Sequence, residues 1–329
     1  MRRPAPVAGS GPVPDRRRRR ALGLAAAAAL VALAGCSPAA GRRPDLQADG
    51  VASVIVPVRS LAMARLILRV NQAGAPTFEA GAFGGFTPLV FPVDVAASTL
   101  DLFIADAGVG RLYRYDATVD AMAVIGGVRV TPQTRLAASP DGSVLVSDPA
   151  AGGALRFDRA GNLVQRIDAR LGAARYDDIA VDPESGRYLA LDRLQQRIEE
   201  VHPVGRSGVV LVDRQLPDGP VGIALDRRLI YVSGRHCGCV VAIDPASGRQ
   251  TTLIEDLRDV GPLAAGGGWL AIADGVQRRL FLHRDGMLRG EPSFDALKLV
   301  NPQGLAIVND TLYVADGAGR KVSVFRLKP

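Results

Sequence analysis

Short apolar runs ending in aspartate recur along this chain, and their period limits the possible folds more than any other feature. Asp106, Asp148, Asp192, Asp274 and Asp316 are separated by 42, 44, 82 and 42 residues. The gap of 82 is two periods, with a degenerate copy between them at Gly234. The surrounding text repeats as LFIADAGVGRLYRYD, VLVSDPAAGGALRFD, YLALDRLQQRIEEV, IYVSGRHCGCVVAID, LAIADGVQRRLFLH and LYVADGAGRKVSVF. A repeat of about 40–45 residues made of short apolar runs and turn residues is the signature of a β-propeller. The expected fold is all-β, with six blades.

Each repeat has the same internal order. A first run carries a small residue, as in PVDVAAS at 92–98 or PQGLAIV at 302–308. A turn such as Pro140-Asp141-Gly142 follows, then a strand ending at the marker acid, a short loop, and a third strand. A second turn, as at 158–161 or 244–248, leads to a fourth strand such as 251–254. Four short strands joined by tight turns make one antiparallel blade. Ala96, Ala137, Ala180, Ala224, Ala264 and Ala306 fall at equivalent places in the first strand, where blades crowd the axis and small side chains are needed. A base stands five residues after four of the markers, as Arg111, Arg197, Arg279 and Lys321. The marker acid is expected to accept loop amides and to pair with that base across the hairpin, a structural role.

The last copy stops at Leu327 after its third strand, which would leave an open edge. An N-terminal strand is expected to close it. Residues 65–70 are the preferred donor and 51–58 the second. A seventh blade built from 51–90 is the alternative, although that stretch has no marker acid.

This grammar resembles the NHL-repeat family, whose units read Pro-x-Gly-hydrophobic-Ala, then apolar-Ala-Asp, then a loop and a base. Pro302-Gln303-Gly304-Leu305-Ala306 with Tyr313-Val314-Ala315-Asp316 and Lys321 is the nearest copy, and Pro220-Val221-Gly222-Ile223-Ala224 a second. The resemblance covers residues 91–327. It implies the architecture but not an activity, because the family includes both binding platforms and enzymes.

The N-terminus reads as a targeting segment. Arg16 to Arg20 precede a 14-residue apolar run, Ala21 to Ala34, which is too short to span a bilayer. Leu33-Ala34-Gly35-Cys36 resembles a bacterial lipobox, which implies cleavage before Cys36 and lipidation of that cysteine. An ordinary signal peptide followed by an unrelated Cys is the other reading. The arginine run also faintly resembles a twin-arginine signal. The expected organisation is a signal peptide at 1–35, a flexible tether at 36–50 and the propeller at 51–329. The lipid bilayer is thus an expected partner through Cys36. Ser37, rather than Asp, follows it, so outer-membrane attachment facing the periplasm is expected in a cell with two membranes. The formal charge is +7, of which residues 1–35 carry +6. The remainder is near neutral and has no basic stripe, which excludes nucleic-acid binding.

Propellers bind ligands at the axial mouth, where each first strand begins. Asp94, Arg135, Asp177, Asp178 and Gln303 are the candidates there. The three acids could hold Ca2+, which takes six to eight oxygens. Arg135 among them suggests an acid–base cluster instead, and no cofactor is expected, with Ca or Zn as the alternative. Some propeller lyases of the family use histidine-bound zinc at the mouth. Of the three histidines here, His202 and His283 fall on the far side and only His236 on the mouth side, so they cannot converge on one ion. In the degenerate fourth copy, Gly234-Arg235-His236-Cys237-Gly238-Cys239, the two cysteines can form a disulfide, and a soft-metal or redox site is the alternative. Two functions remain open. One is a platform for an envelope protein or polymer partner. The other is a divalent-metal-dependent hydrolase or lyase of the lactonase kind.

Overall fold

Runs such as Leu102–Asp106 and Trp269–Asp274 are apolar at nearly every position, so strands made from them need cover on both faces. In the computed structural model both are buried throughout. The structure describes residues 54–66, 86–118, 120–148, 153–168, 176–182, 185–201 and 209–329, with backbone alone at 65, 66, 148 and 168. Among these residues every named element is a β-strand.

The strands form six antiparallel blades. Blade 1 runs from Pro92–Ala97 through Leu102–Asp106 and Arg111–Asp116 to Ala121–Ile125. Blade 2 spans 136–168, blade 3 178–213, blade 4 220–254 and blade 5 260–290, each in the same order from the axis outward. Blade 6 has only three strands of its own, Pro302–Val308, Thr311–Asp316 and Lys321–Leu327. Each inner strand lies beside the next, and the sixth lies beside the first, so the ring is closed.

Among the described residues, six apolar clusters occupy the six seams between blades. Phe103 and Phe157 share the seam between blades 1 and 2, and Trp269 and Phe325 the seam between blades 5 and 6. Fully burying one such side chain contributes about 1.5–3 kcal/mol. The six alanines line up as the repeat requires. Ala96 pairs with Phe103, Ala137 with Leu145, Ala180 with Leu189, Ala224 with Tyr231, Ala264 with Ala271 and Ala306 with Tyr313. In each blade the partner stands three residues before the marker.

The closing strand is Ile55–Leu61, antiparallel to Lys321–Leu327, with Ile55 opposite Leu327 and Leu61 opposite Val322. This corrects the preference for 65–70 as donor. The described part of that stretch belongs to Met63–Leu66, which instead runs parallel along the outer edge of blade 1, with Arg65 opposite Ala121. Phe86–Pro88 pairs with it in turn, giving blade 1 six strands and leaving no seventh blade among the described residues. One segment therefore completes blade 6 and then covers the edge of blade 1. Arg59 ties the two blades together: its guanidinium stacks 5.0 Å above the Tyr115 ring and donates to the Tyr115 hydroxyl and to Asp120.

The marker acids are loop fasteners. Asp106 accepts the amides of Val90, Phe91 and Gly108 at 2.7–2.9 Å. Asp316 accepts those of Val300, Asn301 and Gly319, and Asp274 those of Arg258, Val276 and Gln277. The expected pairing with the base across the hairpin is kept at Lys321 and Asp316, while two of the bases take other partners. The bases do stand opposite the markers. However, Arg197 bonds Glu199 and Arg279 bonds Glu291, while Lys321 lies 4.0 Å from Asp316. At Asp274 both oxygens already serve amides, and Arg279 turns to the longer Glu291 carboxylate.

Candidate functional site

The residue one step before each marker faces a single register level on the inner strands. Asp94 stands opposite Ala105, Asp178 opposite Leu191, Gly222 opposite Ser233 and Gly304 opposite Ala315. Arg135 is fixed at the same level by Ser147, whose hydroxyl accepts Arg135 N and whose amide donates to Arg135 O. Pro262 precedes Leu263, which pairs with Ile272. The level therefore reads Asp94, Arg135, Asp178, Gly222, Pro262, Gly304 around the ring, with three charged blades followed by three blades of small residues.

All of these but Gly304 line an axial cavity of about 650 Å3. Its wall follows the inner strands from Asp94 to Thr99 in blade 1 and from Val221 to Arg227 in blade 4. Gln303 also lines it. Asp177 does not. Its carboxylate accepts the Arg193 amide at 3.0 Å, a loop-fastening role like that of the markers. The structure thus brings together four of the five residues expected at the mouth.

Both mouth acids are engaged by backbone. Asp94 accepts its neighbour Val95 N at 2.9 Å and, across the seam, Leu136 N of blade 2 at 2.7 Å. Asp178 accepts Ile179 N at 3.0 Å and, across the seam, Ile223 N of blade 4 at 2.8 Å. All four oxygens therefore serve amides, and two of those bonds join adjacent blades. Burial pushes the Asp94 carboxyl up to about 7, opposed by Arg135 and reinforced by Asp178. Burial also raises Asp178, opposed chiefly by Arg135. Small neighbours make room for the acids: a side chain at Gly304 would meet Asp94 Oδ1 at 2.3 Å, and one at Gly222 would meet Asp178 Oδ2 at 3.2 Å.

Arginines that sequence reasoning did not single out complete the mouth. Arg193 and Arg235 each follow a marker position, on blades 3 and 4, and both line the cavity. Arg193 Nη2 donates to Val221 O of blade 4 at 2.6 Å. The matching residues of blades 5 and 6 are Gly275 and Gly317. Their place in the repeat, immediately after the marker, was a signal available in the sequence.

The fourth-blade loop is built around Gly234. The sulfurs of Cys237 and Cys239 are bonded, with their Cα atoms 5.2 Å apart. A side chain at Gly234 would meet Cys237 Sγ at 2.6 Å and Asp218 O at 2.9 Å, so a marker acid and this loop are mutually exclusive. The loop is fastened by its own amides instead: Arg235 N and His236 N donate to the carbonyls of Gly219 and Asp218. His236 is exposed beside Asp218, while His283 is buried and its pKa is pushed down by that burial. His202, Cys36 and the whole of 1–53 lie outside the described residues. No group of three or more His, Cys, Asp or Glu suited to a metal ion occurs among the described residues.

No family model and no curated protein matches the chain. Solved structures do. A streptogramin B lyase aligns with a TM-score of 0.52 at 10% identity, over 74% of this chain and 95% of its own. Virginiamycin B lyase from Staphylococcus aureus gives 0.52 at 12%, over 73% and 96%. A Bacteroides thetaiotaomicron protein of unknown function gives 0.59 at 10%, over 84% and 76%. At such identities the likeness defines the class, a six-bladed β-propeller with lyases among its structural neighbours, and leaves the chemistry of this chain open.

Proposed function

We propose that this protein is a lipid-anchored, extracytoplasmic propeller acting as a binding platform, presenting its axial mouth to a protein or polymer partner of the cell envelope. The observation that carries this reading is the engagement of Asp94 and Asp178. Their four oxygens hold inner-strand amides of blades 1 to 4. A lactonase-like alternative would need those carboxylates, with Asp177, as metal ligands, and Asp177 is turned to the Arg193 amide. Calcium takes six to eight oxygens, and the acids available for that purpose are already binding backbone. Exposed apolar side chains on the mouth-face loops, Val109, Leu194, Val276 and Val300, favour contact with a partner. The anchor rests on the Cys36 lipobox and the NHL-like character on the repeat text; two or more acyl chains would hold the chain stably at a membrane.

Photocrosslinking in intact cells tests this. A crosslinking residue placed at Leu194 or Val276 should give discrete adducts, and one at Leu100 on the opposite face should not. Cys36→Ala should release the protein from the membrane fraction. Equal labelling from both faces would contradict the platform. So would turnover of a lactone that is lost in Asp178→Asn.

A further inference from the structure

Outside the two stapled acids, three arginines crowd one side of the mouth. Arg135, Arg193 and Arg235 come from blades 2, 3 and 4 in succession and all line the axial cavity. Beyond them around the ring, the cavity is lined by Pro262 and Gly275 of blade 5 and by Asn301 and Gln303 of blade 6, with no further arginine at that level. Much of the arginines' donor capacity is unused. Arg193 Nε is buried and has no hydrogen-bond partner. Arg235 is exposed and makes no side-chain hydrogen bond or ion pair among the described residues. Arg135 uses Nη1 on the carbonyls of Pro132 and Thr134.

The neighbouring acids offset this charge incompletely. Asp94 and Asp178 are held by amides and are pushed toward their neutral forms by burial. Asp259 lines the cavity from blade 5, the blade next to that of Arg235, where the missing side chain of Gly275 leaves it room, and it is one acid beside three guanidiniums. A guanidinium stays charged at any physiological pH and presents a planar fork matched to a two-oxygen anion. A buried guanidinium nitrogen without an acceptor is costly to leave unpaired, and an incoming oxyanion would supply one.

We infer that the Arg135–Arg193–Arg235 arc is an oxyanion site, which receives a carboxylate or phosphate group of the ligand while the rest of the ligand occupies the part of the cavity lined by Pro262, Gly275, Asn301 and Gln303. This deepens the platform reading and rests on it for the location of binding. A cavity of about 650 Å3 admits the end of a polymer or a small organic anion.

Isothermal titration of the full chain in non-ionic detergent tests the assignment, with succinate and inorganic phosphate as probes and succinamide and choline as controls. One anion should saturate a single site while the controls do not bind. Hydrogen bonds to charged groups imply that Arg235→Gln, at unchanged melting temperature, and Arg135→Gln each weaken binding by roughly tenfold or more. The preferred probe tells which oxyanion the ligand carries. No saturable anion binding, equal binding by the variants, or equal binding of succinamide would overturn the site. Mouth-face crosslinks without anion binding would sink this assignment and leave the platform standing. Anion binding without such crosslinks would support the site and remove the platform.

Discussion

Asp94 is the residue where burial and hydrogen bonding act against each other most clearly. Its pKa is raised from 3.8 to about 7 by burial. A carboxyl with a raised folded-state pKa favours folding in its neutral form. Its contribution is therefore fully present below the unfolded value and is lost as pH climbs toward about 7. Between those limits the stability of the wild type should fall with a slope of up to about 1.4 kcal/mol per pH unit from this group. Asp94→Asn should remove that slope, and parallel urea-denaturation profiles for the two proteins would refute it. Gly304 is the complementary case. Its φ needs no glycine, but the Asp94 Oδ1 and Cα atoms stand 2.3 and 2.5 Å from where a Cβ would be. Gly304→Ala should cost about 1–3 kcal/mol through overpacking. Gly126→Val, at a site with nothing within 4 Å, should be close to neutral in the same assay.

The strand-and-loop element is where the repeat text translates most directly into structure. The marker aspartate ends a strand and fastens two loops, so Asp316→Ala strips three amides of their acceptor. Chemical denaturation should show a loss of about 3 kcal/mol or more. Blade 4 makes the same connection without the acid. Its loop closes a ring of only a few residues between Cys237 and Cys239, for which loop entropy gives about 1–2 kcal/mol. Adding dithiothreitol should lower stability by that amount and speed hydrogen exchange at 234–238, leaving the other blades unchanged. The six alanines and the markers were legible in the sequence because every blade solves one steric problem at one register. The partners of the bases were not. Arg197 and Arg279 stand opposite markers, yet Glu199 and Glu291 lie within reach once the hairpin twists.

At the scale of the whole ring, closure depends on residues far apart in sequence, and there the sequence says least. Ile55–Leu61 and Met63–Leu66 are neighbouring short strands of similar character, and only the geometry of two open edges decides which blade each joins. Arg59 holds that junction. Arg59→Ala should remove a cation–π contact worth about 0.5–1 kcal/mol with Tyr115, measurable in the same denaturation assay. The positions of Asp94 and Asp178 at the mouth were legible from the repeat, but their role was not, because their partners are backbone amides 42 and 45 residues away on the next blade. Backbone amides leave no trace in side-chain identity. The same two acids separate a stapled ring from a metal site. The most direct measurement is therefore thermal unfolding of the wild type and Asp178→Ala, each with excess EDTA and with millimolar Ca2+ or Zn2+. The staple role predicts a lowered melting temperature for Asp178→Ala and no response of either protein to chelator or metal. A wild type that loses stability in EDTA, regains it with the ion, and shows neither effect once Asp178 is removed would contradict it.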